Sequence, residues 1–229
     1  MPKKTKQKKK KVLIHSNHCR AKTGFGKHMK HLITYLHNTG KYDLVEFANG
    51  MQWNDPKLSR LPWKAIGSLP FEPNIIQQIN SDQNKARAAG YGQLKIDDVI
   101  KQEKPDVYLG IEDIWGMDGF WNKTWWKKIN SLMWTPVDSL PLLDKHIESA
   151  TNTSNYIVQA SFAKKALNNQ GLNNVHLLPV PLDPENFHKL DDRKSKTLQQ
   201  LKGLEAKPKD QAEKKGQLNE NLRLSNLDK

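Results

Sequence analysis

Short strand-like runs alternate with helix-like segments along this chain, and this alternation limits the possible folds more than any other feature. The first run is Val12–Ile14, which is suited to a buried strand. After a polar loop, apolar residues recur at helical spacing, namely Met29, Leu32, Ile33 and Leu36. Gly40 stands where such a helix would end. Asp43–Ala48 then predicts a second strand.

The same alternation returns after residue 94. Apolar runs predict four further strands, at Val107–Ile111, Ser131–Trp134, Tyr156–Gln159 and Val175–Leu178. Helical spacing and boundary residues predict helices that include Ile96–Ile100, Trp125–Ile129, Leu142–Ala150 and Phe162–Asn169. Strands that alternate with helices imply right-handed crossovers. The sequence therefore predicts an α/β, Rossmann-like fold, with a mainly parallel sheet and helices on both of its faces.

Residues 50–93 have a less regular pattern. They contain four prolines, Pro56, Pro62, Pro70 and Pro73, and proline interrupts helices and central strands. A strand-like piece at Ala65–Leu69 and a helix-like piece at Ile75–Ile79 stand out within this segment. The pattern does not order them within the fold.

Aromatic residues mark the part of the chain that can pack into a core. All seven Trp, five Tyr and six Phe lie between residues 12 and 190. Residues 1–11 hold seven lysines, and residues 191–229 carry ten basic and seven acidic side chains with no aromatic residue. We therefore expect one folded domain at 12–190 with disordered ends. The ends are a basic arm at 1–11 and, at 191–229, a charged tail or the start of a second domain.

The charge of the chain lies mainly at its ends. Of the net charge of +13, the arm contributes +7 and the tail +3, so the domain itself is close to balanced. The lysine arm has two interpretations, a solvated tail or a contact with nucleic acid, an anionic membrane or a protein partner. It carries no interleaved aromatic residues, which argues against specific recognition of single-stranded nucleic acid.

Cysteine and apolar content indicate the compartment. Cys19 is the only cysteine, so no disulfide can form within the chain and a reducing compartment is expected. No apolar run is long enough for a transmembrane segment. We therefore expect a cytoplasmic protein.

Three loops are candidates for ligand binding, because ligands of parallel sheets bind beyond the carboxyl ends of the strands. They are residues 16–26, 112–118 and 135–141. The first contains Gly24, Phe25 and Gly26 between a predicted strand and its helix. Such a loop lets the backbone approach a phosphate while the first amides of the helix face the anion. The alternative is a tight strand-to-helix turn without a ligand, and the loop alone does not separate the two.

Acidic side chains follow the other two strands. Glu112 and Asp113 come after the strand at 107–111, and Asp138 follows the strand at 131–134. These carboxylates are candidate catalytic residues that could hold sugar hydroxyls or act as a base. They could equally cap turns or lie in solvent. His15, His18 and Cys19 have no zinc-site spacing, so we predict no metal site from them.

Read together, these segments resemble a known family. The blocks are TGFG at 23–26, KPDVYLGIEDIW at 104–115, SLMWTPVDSLPL at 131–142 and SNYIVQASFAKKALNNQGLNNVHLLPVPLDPENFHKL at 154–190. They resemble the N-terminal domain of the large group of retaining glycosyltransferases with the GT-B fold. The resemblance covers about residues 11–190 and implies a nucleotide-sugar donor, no cofactor, and an acceptor bound largely by this domain. It places donor phosphates near Gly24 and Gly26.

Two departures from the family pattern stand out. A histidine common near the end of a middle strand is not evident at the matching edge. Only about forty residues follow Asp183, which is too few for a second Rossmann-like domain. Glu205 and Glu213 have the spacing of the family's paired glutamates, but Pro208 and polar sequence around them indicate a chance match.

The sequence therefore predicts a glycosyltransferase that transfers a hexosyl group from a nucleotide sugar to an unknown acceptor. This chain would be its acceptor-side half, truncated before the second domain, and we expect it to be inactive unless that domain is supplied elsewhere. The alternative function is a non-enzymatic Rossmann-like binding module whose basic arm contacts nucleic acid or a protein partner.

Overall fold

Residues 8–181 are described by the structure, a computed structural model. Seven strands form one sheet: β1 (Lys10–Asn17), β2 (Tyr42–Gln52), β3 (Lys64–Leu69), β4 (Val107–Ile111), β5 (Asn130–Thr135), β6 (Asn155–Val158) and β7 (Val175–Leu177). Their spatial order is β3-β2-β1-β4-β5-β6-β7, and every neighbouring pair is parallel. The predicted α/β, Rossmann-like fold with a parallel sheet is thereby confirmed.

Six α-helices accompany the strands in the described part of the chain. They are α1 (Gly24–Asn38), α2 (Pro73–Asn80), α3 (Gln83–Gly90), α4 (Ile96–Glu103), α5 (Asp144–Asn152) and α6 (Ser161–Asn169). Short 3-10 turns occur at Leu58–Arg60 and Phe120–Asn122. The chain reverses direction along the sheet after β3, because β4 returns to pair with the other side of β1. Crevices at such switch points are where ligands of open α/β sheets bind.

The central strands contain buried apolar runs, as expected for a sheet that is covered on both faces. In β1, Leu13 points into a cluster with the buried residues of α4, whereas Val12 and Ile14 point into a second cluster with α1. Helices α5 and α6 also contribute side chains to the first cluster. Helices therefore pack on both faces of the sheet, as the sequence predicts.

Two segments differ from the expected secondary structure. Residues 125–129, predicted as helical, form successive turns instead. Trp125 and Trp126 are adjacent and both buried, in contact with Tyr108; neighbouring residues of a helix do not point in the same direction. Helix α3 lies in the proline-interrupted segment and is not evident from its sequence, because only Ala89 of its residues is buried.

The predicted disordered ends at 1–11 and 191–229 fall largely outside the described residues. The exceptions are Lys8–Lys11, of which Lys10 and Lys11 open β1. Among residues 8–181, no helix has both the length and the apolar content needed to cross a membrane.

Candidate functional site at the carboxyl ends of the strands

The loops selected from the sequence meet at one edge of the sheet. Strand register places Asn17 of β1 beside Asn49 of β2, and Ile111 of β4 beside Trp134 of β5. The residues that follow these positions therefore leave the sheet at the same end. The segments 16–26, 112–118 and 135–141 begin side by side there.

The first loop ends in a well-formed helix N-terminus. Thr23 caps α1, because its Oγ1 accepts a hydrogen bond from the Gly26 amide at 3.0 Å. Asn17 Nδ2 donates to the same oxygen at 2.9 Å and so ties the cap to the end of β1. The first turn of α1 contains no acidic residue. Its amide groups and the helix dipole therefore favour an anion at this position.

The two glycines of this loop have different surroundings. A Cβ on Gly26 would lie 2.4 Å from the carbonyl oxygen of Ala21, so this position admits no side chain without displacing the backbone. A Cβ on Gly24 would meet nothing within 4 Å. Phe25 packs partly against the apolar cluster beneath α1. Close packing therefore explains why position 26 is a glycine. At Gly24 the space in front of the helix is open.

Glu112 is the most unusual carboxyl group at this edge. Its side chain is 2% exposed, and its Oε2 accepts a hydrogen bond from Asn49 Nδ2 at 3.0 Å. The other oxygen, Oε1, accepts from the Asp113 amide at 3.2 Å. Burial raises the pKa of Glu112 to about 7, although both hydrogen bonds oppose the shift. The group can therefore both accept and release a proton near neutral pH.

A buried chain of hydrogen bonds orients Asn49. His15 Nε2 lies 2.7 Å from Asn49 Oδ1, and His15 Nδ1 lies 2.8 Å from the Tyr108 hydroxyl. Burial lowers the pKa of His15 to about 4, so the ring is neutral at pH 7. Because Asn49 Oδ1 only accepts, we assign the ring proton to Nε2 and the Tyr108 proton to the bond with Nδ1. The ring thus holds the Asn49 amide with its NH₂ directed at Glu112.

Asp113 and Asp138 lie close enough to influence each other. Burial and the negative charge of Asp138 both raise the pKa of Asp113. Asp138 is exposed, whereas Asp113 is half-buried. The structure therefore brings the three predicted carboxylates, Glu112, Asp113 and Asp138, to one edge of the sheet, with Glu112 innermost.

The loop after β1 is fixed by a second buried network. Glu46 Oε1 accepts hydrogen bonds from His18 Nδ1 at 2.7 Å and from the Cys19 amide at 2.8 Å, and Oε2 accepts from Trp63 Nε1 at 2.8 Å. Burial alone would raise the pKa of Glu46, but these bonds outweigh it and lower the pKa. One nitrogen of His18, the Cys19 sulfur and one carboxylate oxygen of Glu46 all lie within 4.8 Å of one another. Burial, and next the negative charge of Glu46, raise the pKa of the Cys19 thiol to about 12, so the thiol is protonated at neutral pH.

The sequence did not reveal Asn49, which is bonded to Glu112, or His15, which is bonded to Asn49. Asn49 directly precedes Gly50 at the end of the second predicted strand, a position that the same edge rule would have selected. His15 directly follows the first apolar run, and its partner Tyr108 is 93 residues away along the chain. Only the pairing of β1 between β2 and β4 brings His15, Asn49 and Tyr108 together.

A separate cavity of about 400 Å³ lies at the opposite edge of the sheet. Its lining includes Asn130 and Ser131 at the start of β5, and Thr153 and Ser154 just before β6. None of the predicted catalytic or phosphate-binding residues lines it. The amino ends of parallel strands are not the usual position for ligands of this architecture. The candidate site therefore remains at the carboxyl edge.

Comparison with known proteins finds solved structures that share this fold. No protein-family model matches the chain, and no curated protein sequence matches it significantly. Among solved structures, TcCGT1 in complex with UDP aligns with 86% of this chain and 55% of its own, with a TM-score of 0.52 at 13% identity. This likeness shows a shared fold and supports a GT-B-like architecture.

Two further structures are similar at lower scores. UDP-GlcNAc 2-epimerase from Methanocaldococcus jannaschii has 14% identity and a TM-score of 0.46 over 87% of this chain and 50% of its own. UGT89C1 from Arabidopsis thaliana, complexed with UDP-L-rhamnose, has 13% identity and a TM-score of 0.44 over 89% of this chain and 56% of its own. The chain thus spans about half the length of these three structures.

Proposed function

We propose that this chain forms the acceptor-side half of a glycosyltransferase that transfers a hexosyl group from a nucleotide sugar. The observation that carries the proposal is the position of Glu112. A buried carboxyl group with a pKa near 7 stands at the carboxyl edge of a GT-B-like sheet. The open N-terminus of α1 lies at the same edge, where Thr23 is bonded to Asn17 at the end of β1. The remaining wall of the site would come from a second domain.

The N-terminus of α1 is the proposed contact for the donor phosphates. Among residues 8–181, the amides of Gly24 and Phe25 have no hydrogen-bond acceptor, whereas the Gly26 amide is already bonded to Thr23. The open space beside Gly24 allows a diphosphate to approach these two amides. Negative charge develops on the diphosphate as it leaves the sugar, and preorganised donors stabilise it.

Glu112 is the proposed acid–base group. Its carboxylate form can accept the proton of an acceptor hydroxyl while the bond between the sugar and the diphosphate breaks. Asn49 and His15 act as positioning residues. Asn49 donates a hydrogen bond to one oxygen of the Glu112 carboxyl group, and His15 holds the Asn49 amide in place. Asp113 and Asp138, which are more exposed, are proposed to hold sugar hydroxyls.

The phosphate contact is tested by a pair of glycine variants. Gly24→Val should weaken UDP binding about tenfold, because the new side chain fills the space through which the phosphate approaches two amides. Gly90→Val is the matched control, since a Cβ at Gly90 in α3 also meets nothing within 4 Å. Titration calorimetry measures both affinities. Equal UDP affinity in the Gly24 variant and the wild type would show that the loop is a strand-to-helix turn that does not bind phosphate.

A further inference from the structure

A cavity of about 210 Å³ adjoins the candidate site. It lies between α3, the loop after β4 and the start of α5, and its lining includes Asn84, Arg87, Gln93, Trp115, Asp118 and Lys145. The volume is below the range of about 300–1,000 Å³ that is typical of pockets for drug-sized ligands. It therefore suits one small ring rather than an extended molecule.

The loop after β4 forms a wall of both this cavity and the Glu112 site. Gln93 Nε2 donates hydrogen bonds to the carbonyls of Gly116 at 3.0 Å and Trp115 at 3.4 Å, which fixes the loop against the segment after α3. A Cβ on Gly116 would lie 2.7 Å from Glu112 Cγ. A molecule bound in the cavity would therefore be separated from the proposed acid–base group, Glu112, only by the loop after β4.

The charged residues that line the cavity are Arg87, Lys145 and Asp118, so positive charges outnumber negative ones. Lys145 is paired with Asp118. Arg87 is exposed on α3 and makes no ion pair with any residue between 8 and 181. The cavity therefore has one uncompensated guanidinium group, which is suited to bidentate binding of a carboxylate or phosphate.

An aromatic side chain completes the lining. Trp115 is 37% exposed, although most tryptophans of the described chain are buried or half-buried. An exposed indole beside polar groups offers an apolar surface to one face of a ring whose edges carry hydroxyls. The amides of Asn84 and Gln93 lie in the same lining and provide polar partners for such hydroxyls.

We propose that this cavity is a binding subsite for an anionic sugar of the acceptor, with the ring against Trp115 and its carboxylate or phosphate on Arg87. The assignment of this sugar to the acceptor rests on the proposed function. The binding of an anionic sugar in the cavity does not depend on it. It narrows the unknown acceptor to glycans or glycosides that carry a negative charge next to the unit that is modified.

Fluorine NMR of the full chain labelled with 5-fluorotryptophan tests the subsite, and the Trp115→Phe variant assigns the relevant resonance. The probes are glucuronate, glucose 6-phosphate, glucose and inorganic phosphate. The two anionic sugars should shift the Trp115 resonance with at least about tenfold higher affinity than glucose or phosphate alone. The stronger of the two shows whether a carboxylate or a phosphate is the preferred anion.

A pair of charge variants separates a specific contact from general attraction. Arg87→Gln should weaken binding of the anionic sugars about tenfold, whereas Lys85→Gln should not change it, because Lys85 lies on the same helix but not in the cavity. Equal effects of the two variants, equal affinities for glucose and glucuronate, or an unmoved Trp115 resonance would overturn the proposal. Binding of the anionic sugars without binding of UDP would support the subsite and contradict the glycosyltransferase function. Binding of UDP without binding of these sugars would support the glycosyltransferase function and contradict the subsite.

Discussion

Gly26→Val is expected to destabilise the fold by about 3 kcal/mol, whereas Gly24→Val is expected to change stability by less than about 1 kcal/mol. The reason is the distance of 2.4 Å between a Cβ at position 26 and the carbonyl oxygen of Ala21, compared with the open space at position 24. Backbone atoms cannot rotate away as a flexible side chain can. Either α1 or the loop after β1 must therefore move.

Urea unfolding of the two variants and the wild type measures this difference. If Gly26→Val does not fold, Gly26→Ala gives the same comparison with a smaller side chain. Equal stabilities of the Gly24 and Gly26 variants would contradict the packing described for the loop. The comparison also shows why the two glycines must be changed separately: a double variant would mix loss of folding with loss of a ligand site.

Ionisation of Glu112 is expected to lower stability by about 3 kcal/mol between pH 4.5 and pH 7.5. In the unfolded chain the carboxyl group ionises near its usual pKa of 4.5, whereas burial holds the folded pKa at about 7. The folded state therefore binds the proton more tightly, and stability decreases as pH rises through this window. A shift of about 2.5 units, at 1.36 kcal/mol per unit, gives the expected magnitude.

The difference in unfolding free energy between Glu112→Gln and the wild type isolates this effect. Glutamine does not ionise, so the variant should gain about 3 kcal/mol relative to the wild type as pH rises from 4.5 to 7.5. His15 and His28, whose pKa values burial lowers to about 4, reduce stability as pH falls below 6.5. Both proteins carry these histidines, so their direct contributions largely cancel in the difference.

Glu46→Gln provides a control with the opposite sign. Hydrogen bonds lower the pKa of Glu46 in the folded state, so its ionised form stabilises the fold above the unfolded pKa and loses this contribution as pH falls. The cost of Glu46→Gln should therefore shrink towards low pH. A Glu112→Gln difference that is flat with pH, or that changes in the direction expected for Glu46, would contradict the buried carboxyl group described at the site.

The sequence predicts those elements of the fold whose burial follows from the periodicity of a single strand or helix. The strand at Val107–Ile111 has the predicted bounds, and Gly40 follows α1 with a positive φ of 65°, as expected at the end of a helix. Residues 125–129 could not be predicted in this way. The two tryptophans there are buried by contacts with distant parts of the chain rather than on one face of a helix.

The position of the candidate site is predictable from the sequence, but its chemistry is not. The edge rule selects Glu112, Asp113 and Asp138 because each follows a strand. It does not reveal that Glu112 is buried and Asp138 exposed, because that depends on how residues 91–93 and 113–118 fold over the edge. The pKa of Glu112 and its connection through Asn49 to His15 follow from this tertiary packing alone.

Mapping of UDP-glucose binding onto the backbone amides by ¹⁵N NMR tests the central proposal most directly. If the carboxyl edge binds a nucleotide sugar, the largest shifts should occur at Gly24 and Phe25, with smaller shifts at Glu112 and Asp113. Chemical-shift mapping detects the weak binding expected from one wall of a two-domain site. Shifts confined to the cavity around Asn130 and Thr153, or no shifts at millimolar UDP-glucose, would contradict a nucleotide-sugar site at this edge.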